Sequence, residues 1–112
     1  MYSKELLKGT LPAIVLKLLA EKESMYGYEI SMRVKELSDG KITIKDGSLY
    51  PALQKMTQDG LLSYREDIVN GRVRKYYSIT KQGQKERAAS MEELKNFIAT
   101  ISKLVFSKGE FA

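Results

Sequence analysis

The residues best suited to chemistry lie in two neighbouring stretches. The first, Gly47-Ser48-Leu49-Tyr50-Pro51-Ala52-Leu53-Gln54-Lys55-Met56, sets apolar positions at helical spacing against a face of hydroxyls and amides. The second is built on Asn70-Gly71 and carries Arg72, Arg74 and Lys75, with no acid between Asn70 and Lys75. A short helix for a groove beside a cationic ribbon for phosphates is chemistry directed at a nucleic-acid duplex. The outward positions of the helix are Ser48, Tyr50, Pro51, Gln54, Lys55 and Gln58. Ser and Gln can read base edges, Gln favouring adenine, while Tyr and Lys suit phosphate oxygens. Tyr50 has two readings, a DNA contact or an aromatic packed against the hairpin. By strand alternation Arg72, Arg74 and Tyr76 share one face, and Val73, Lys75 and Tyr77 the other. Arg72 at the tip suits a narrow minor groove, and Arg74 and Lys75 suit phosphates. Tyr28, at the head of the preceding helix, and Lys45, just before the short helix, complete the candidate DNA-facing set. The competing reading of the hairpin is a solvent-facing ribbon whose charges protect its edges. Glu66 and Asp67 on the opposite arm lower the local charge.

Composition agrees with a polyanion partner. The chain has 112 residues, with 19 basic against 14 acidic, a net charge of +5. An apolar fraction of 43% is enough for one modest core that association would help to stabilise. There is no Cys and no His, which excludes thiolate chemistry, disulfides, His-based acid–base catalysis and the usual zinc ligand sets. No convergent set of Ser, Tyr, Lys and carboxylates replaces them, so an enzyme is not expected, nor is a cofactor or a metal. No apolar run reaches membrane-spanning length, and the N-terminal residues lack the pattern of a cleaved signal. The expected compartment is the cytoplasm.

The elements that must position these residues follow from periodicity. Leu7, Leu11, Ile14 and Leu18 give a helical face within residues 3–22, widened by Leu6, Val15 and Leu19. So wide a stripe points to contact on two sides, with the chain's own domain and with a partner. Pro12 either places the start of the regular helix near Thr10 as cap, the favoured reading, with residues 3–9 less regular or a separate helical turn, or kinks a longer helix. A second helix is predicted over 27–38, lined by Ile30, Val34 and Leu37 and stopped by Gly40. Residues 41–45 alternate and predict a very short strand. The third helix is predicted over 48–58, capped by Asp46 or Ser48, with Leu49, Leu53 and Met56 inward and Asp59-Gly60 ending it. Strands are predicted from Leu61 to Glu66 and from Val73 to Ile79, joined through Asn-Gly in a loop of two residues or more. Thr80 caps a last helix running to about Ser107. Its residues Met91, Leu94, Ile98, Ile101 and Val105 form a two-heptad seam flanked by Phe97 and Leu104. A helix that overhangs its domain with an apolar seam needs a partner chain, the competing reading being that it folds back on its own first helix. The expected fold class is mainly α with a small β-hairpin: a winged helix-turn-helix over 1–80 and a dimerisation helix over 81–112.

These residues carry a family resemblance. Tyr26-Gly27-Tyr28-Glu29-Ile30, Gly47-Ser48-Leu49-Tyr50-Pro51-Ala52-Leu53, Asp59-Gly60-Leu61-Leu62, Gly71-Arg72 with Arg74-Lys75-Tyr76-Tyr77-Ser78-Ile79-Thr80, and Gly83 together resemble the short subfamily of PadR transcriptional regulators. The resemblance covers nearly the whole chain. It implies a homodimeric repressor that binds a palindromic operator in double-stranded DNA and whose C-terminal helix crosses the partner's first helix. The implied interface is Leu7, Leu11, Ile14, Met91, Leu94, Phe97, Ile98, Ile101, Leu104 and Val105. Some short members hold planar aromatic drugs at the dimer centre against a tryptophan, and this chain has no Trp. Its central positions, Met91, Leu94 and Phe97 opposite Leu11 and Ile14, form either a packed seam or a pocket for an apolar small-molecule effector. Alternatives to this reading are another winged-helix regulator, of MarR-like or ArsR-like type, and a protein-interaction adaptor that keeps the fold.

Overall fold

A computed structural model describes residues 2–106. In chain order these form α1 (Lys4–Glu21), β1 (Met25–Tyr26), α2 (Gly27–Leu37), α3 (Asp46–Gln58), β2 (Leu62–Val69), β3 (Arg72–Ile79) and α4 (Lys81–Val105). The three strands make one antiparallel sheet in the order β1-β3-β2.

The first helix begins earlier than Pro12 suggested. Ser3 is its cap, its hydroxyl accepting from the Leu6 N–H at 3.3 Å. Thr10 is an interior residue whose hydroxyl donates to the Leu6 and Leu7 carbonyls at 3.1 and 3.2 Å. Proline inside a helix costs about 3 kcal/mol. Burial of Leu11, Val15, Leu16, Leu18 and Leu19 outweighs that, at about 1.5–3 kcal/mol for each side chain fully buried. Leu6, expected to widen the apolar face, is exposed.

The second helix stands where its periodicity placed it, burying Ile30 and Val34 but leaving Leu37 exposed, and it stops at Asp39 and Gly40, whose φ values of 53° and 77° lie in the left-handed region. Residues 41–45 form no strand. The described sheet contains only β1, β3 and β2. Ile44 is instead buried and Ile42 half-buried, both plugging the core from an irregular segment. The third helix starts at Asp46, two residues before the expected Ser48, because the Lys45 carbonyl already accepts from the Ser48 and Leu49 N–H groups. Lys45 is its cap position, in place of Asp46 or Ser48, and no side-chain hydrogen bond caps it. Leu49, Leu53 and Met56 point inward, as their spacing requires.

The hairpin strands extend further than 61–66 and 73–79. They pair without interruption from Leu62 opposite Ile79 to Val69 opposite Arg72. Asn70 and Gly71, with φ of 52° and 77°, close a two-residue turn with the hand that matches strand twist. At the far end of β3, Thr80 caps α4, its hydroxyl accepting from the Gly83 N–H at 3.0 Å and donating to the Gly60 carbonyl at 2.6 Å. Gly83 packs on the Leu61 carbonyl so closely that a Cβ there would overlap it, which fixes the direction in which α4 leaves. With 25 residues, α4 is roughly 37 Å long at about 1.5 Å per residue. The described chain measures 56 × 29 × 21 Å. The expected end near Ser107 lies outside the described residues. The core joins α1, α2, α3, Leu62 and Tyr77. This is a winged helix-turn-helix: three helices, a wing, and a long final helix.

Candidate nucleic-acid interface

The exposed side of α3, the head of α2 and the wing enclose an open groove of about 1010 Å³. Two structural features create it. Pairing of Met25 with Tyr77 and of Tyr26 with Tyr76 binds the start of α2 to the base of the wing. Gly27 then lets α3 approach, since a Cβ on it would stand 2.5 Å from the Tyr50 hydroxyl oxygen.

Ser48, Pro51, Gln54 and Lys55 are exposed on α3, and Lys45 is exposed at its head. Gln54 lines the groove together with Tyr50 and Tyr28. Tyr50 packs on the head of α2 rather than on the hairpin. Its ring packs on Gly27, while 44% of its surface stays open. Burial, with the Asp46 carboxylate, raises the Tyr50 hydroxyl pKa against the opposing charge of Arg74, so the group is a neutral donor at physiological pH. Lys55 is tied to Asp59 at 3.0 Å, an exposed pair that a phosphate can displace at small cost.

In the wing, the alternation of the sequence holds in detail. Arg74 sits 4.5 Å above the ring of Tyr26, on the face that Tyr76 shares, and Lys75 sits 4.6 Å above the ring of Tyr64, on the face of Tyr77. Arg72 is exposed beside the turn. All three cations line the groove. Arg74 is half-buried, in the third pair from the turn, where it rests on the Tyr26 ring at the head of α2. Sequence reasoning passed over Tyr26 and Tyr64, which line this groove, and Arg65, which packs over Tyr76 on the wing. The clue was their register: Tyr64 faces Tyr77, and Arg65 faces Tyr76. No groups of His, Cys, Asp and Glu that could hold a metal ion occur among the described residues.

Glu29 anchors the head of α2. Its carboxylate accepts from the Tyr26 N–H at 3.1 Å and from Lys22 Nζ at 2.7 Å. Burial pushes its pKa up, but these two hydrogen bonds and the charges of Lys22 and Arg74 outweigh burial and hold it below its ordinary value of 4.5. A depressed carboxylate contributes stability that is full above the unfolded-state pKa and is lost as pH falls through the folded one. Glu29→Ala is therefore expected to cost about 1 kcal/mol at neutral pH, the usual worth of a helix-capping interaction. The charge-dependent part of that difference closes as thermal melts are taken down through the carboxylate range. A gap that widens in acid would contradict the assignment.

The seam residues of α4 lie away from this groove. Met91, Phe97, Ile98, Leu104 and Val105 are exposed, and Leu94 and Ile101 are half-buried. On α1, Leu7 and Ile14 are half-buried, whereas Leu11 is buried in its own core.

The family model for the transcriptional regulator PadR-like family matches residues 15–89. The chain belongs to that family. It is a transcriptional regulator and not an enzyme. A full-length relative, an uncharacterized protein of Lysinibacillus sphaericus, is 31% identical over 106 residues, which are 94% of this chain and 93% of that protein. The structure of a transcriptional regulator from Clostridium thermocellum matches with a TM-score of 0.84 and 30% identity, over 91% of this chain and 99% of that one. Bacillus subtilis PadR, a negative transcriptional regulator, is 30% identical over 69 residues, 61% of this chain and 38% of that protein. Its structure in complex with operator DNA matches with a TM-score of 0.66 and 29% identity, over 73% of this chain and 46% of that one. The winged fold of this PadR-like regulator and its long final helix are thus shared along nearly its whole length with solved relatives. No described helix is long and apolar enough to cross a membrane.

Proposed function

We propose that this PadR-like regulator is a homodimeric repressor that reads a palindromic operator, with α3 in the major groove and the wing on the adjacent backbone. The observation that carries this reading is the groove itself, where Gln54 of α3 opens onto the same surface as Arg72, Arg74 and Lys75. In this reading Tyr28, Lys45, Tyr50, Lys55, Arg74 and Lys75 meet phosphates. Ser48 and Gln54 read bases, Pro51 packs beside them, and Arg72 enters the minor groove. Residues 81–112 act as the dimerisation arm, and two-fold symmetry sets the half-sites about 34 Å apart or a multiple of that. The repressor role draws support from Bacillus subtilis PadR, a negative regulator crystallised with operator DNA. An apolar effector bounded by Ile14, Met91, Leu94 and Phe97, with Leu11 withdrawn into the core, would act only by binding one wing spacing better than another.

The test is a titration of random and selected duplexes across a salt series. Arg72→Ala and Lys75→Ala are expected to weaken binding to most sequences, each flattening the salt slope by about 1. Gln54→Ala is expected to relax sequence preference with little change of slope. A wild-type protein that shows no affinity for random duplex at low salt overturns the reading, since counterion release gives any duplex reader measurable nonspecific binding.

A further inference from the structure

We infer that Tyr26 is a positioning residue for Arg74, its ring the shelf that holds the guanidinium where the wing, α2 and α3 converge on a duplex phosphate. The inference rests on the reading of this groove as a duplex interface. Register alone would send Arg74 elsewhere. Its direct partner across the hairpin is Asp67, which would cancel its charge. Asp67 is instead held by Arg65, Nε to carboxylate at 3.3 Å, and Arg65 is itself fixed over the Tyr76 ring at 4.9 Å and on the Ser24 hydroxyl at 3.3 Å. Arg74 is left on an aromatic face, 4.5 Å from the Tyr26 centroid, where its donors remain available to an anion.

The shelf is rigid for reasons visible in the fold. The Tyr26 backbone is paired with Tyr76 and held by the Glu29 carboxylate. Its ring meets Tyr76 edge-on at 5.5 Å and stacks with Tyr28 at 6.3 Å. An arginine ordered before binding loses less side-chain entropy when a phosphate arrives. Without the ring, Arg74 must be ordered by the DNA, or it is captured by Asp67.

The experiment compares Tyr26→Leu, Tyr26→Phe, Arg74→Ala and the Tyr26→Leu/Arg74→Ala double variant on one random duplex over a salt series. Tyr26→Leu is expected to weaken binding about fivefold, the scale of one cation–π contact, and to flatten the salt slope as Arg74→Ala does. Tyr26→Phe, which keeps the ring, stays near wild type. In the Arg74→Ala background, Tyr26→Leu adds no further loss. An equal loss in both backgrounds, or a Phe variant as weak as the Leu variant, overturns the inference while leaving the duplex reading intact. Absence of wild-type binding overturns the duplex reading and the inference with it. Should Tyr26→Leu fail to fold, the side-chain resonances of Arg74 in the wild-type protein decide: an upfield ring-current shift supports the shelf, and random-coil positions overturn it.

Discussion

Ile98→Glu is expected to yield a folded single-chain species whose affinity for a two-half-site operator is lower by about 10²–10⁴-fold, the span over which linking two binding modules raises avidity. The reason lies on α4. Phe97, Ile98, Leu104 and Val105 are between 50% and 76% exposed on the isolated chain, on a helix too long for its own domain to cover. Ile98 itself is half open at 50%, so a carboxylate there stays solvated in the protomer and costs its fold little. In a dimer the same carboxylate would be buried without a partner, which is strongly unfavourable. Losing the dimer leaves each α3 and wing intact but ends simultaneous engagement of two half-sites. Light scattering at working concentration, paired with titrations of one-half-site and two-half-site duplexes, separates the effects. Half-site affinity should be unchanged. A variant that remains dimeric, or a wild type that is already monomeric, would remove the arm from the mechanism.

Leu53→Ala is expected to destabilise the protein by about 2–5 kcal/mol, the range for truncating a fully buried leucine. Leu53 has no exposed surface, and it belongs to the cluster that joins α3 to Val15, Leu16, Leu19 and Ile30. Against a total stability of about 5–15 kcal/mol, such a loss is a large fraction, and it lowers the melting temperature by roughly 10–20 °C for a domain of this size. Its neighbour Gln54 is exposed, and Gln54→Ala should change stability by less than about 0.5 kcal/mol while altering sequence preference. Thermal unfolding of the two variants side by side checks both sides of α3. Equal melting temperatures would mean that the helix does not bury the face its periodicity selects.

Much of the candidate surface was legible because its signals are local. Asn70-Gly71 demands a turn with both φ positive, and its two-residue geometry sets the hairpin register. From that register follow the two faces of the wing, and hence which cations sit with which tyrosines. The inward set Leu49, Leu53 and Met56 likewise identifies the outward set on α3. Where local signals misled, a long-range contact had the larger energy. Pro12 opposes a helix by itself, yet burial of the surrounding leucines carries α1 through it. Lys41-Ile42-Thr43-Ile44-Lys45 alternates like a strand, but its two isoleucines pack into the helical core instead of joining the sheet.

The sequence by itself determined the helices, the wing, its turn and the two sides of α3, because periodicity and turn chemistry act over a few neighbouring residues. Only the tertiary structure decided that a two-residue strand joins α2 to the wing, that Gly27 admits Tyr50, and that Arg74 rests on Tyr26 while Arg65 holds Asp67. Apart from the Arg65–Asp67 pair, those contacts join residues far apart in the chain, and no local pattern encodes which side chain wins a shared partner.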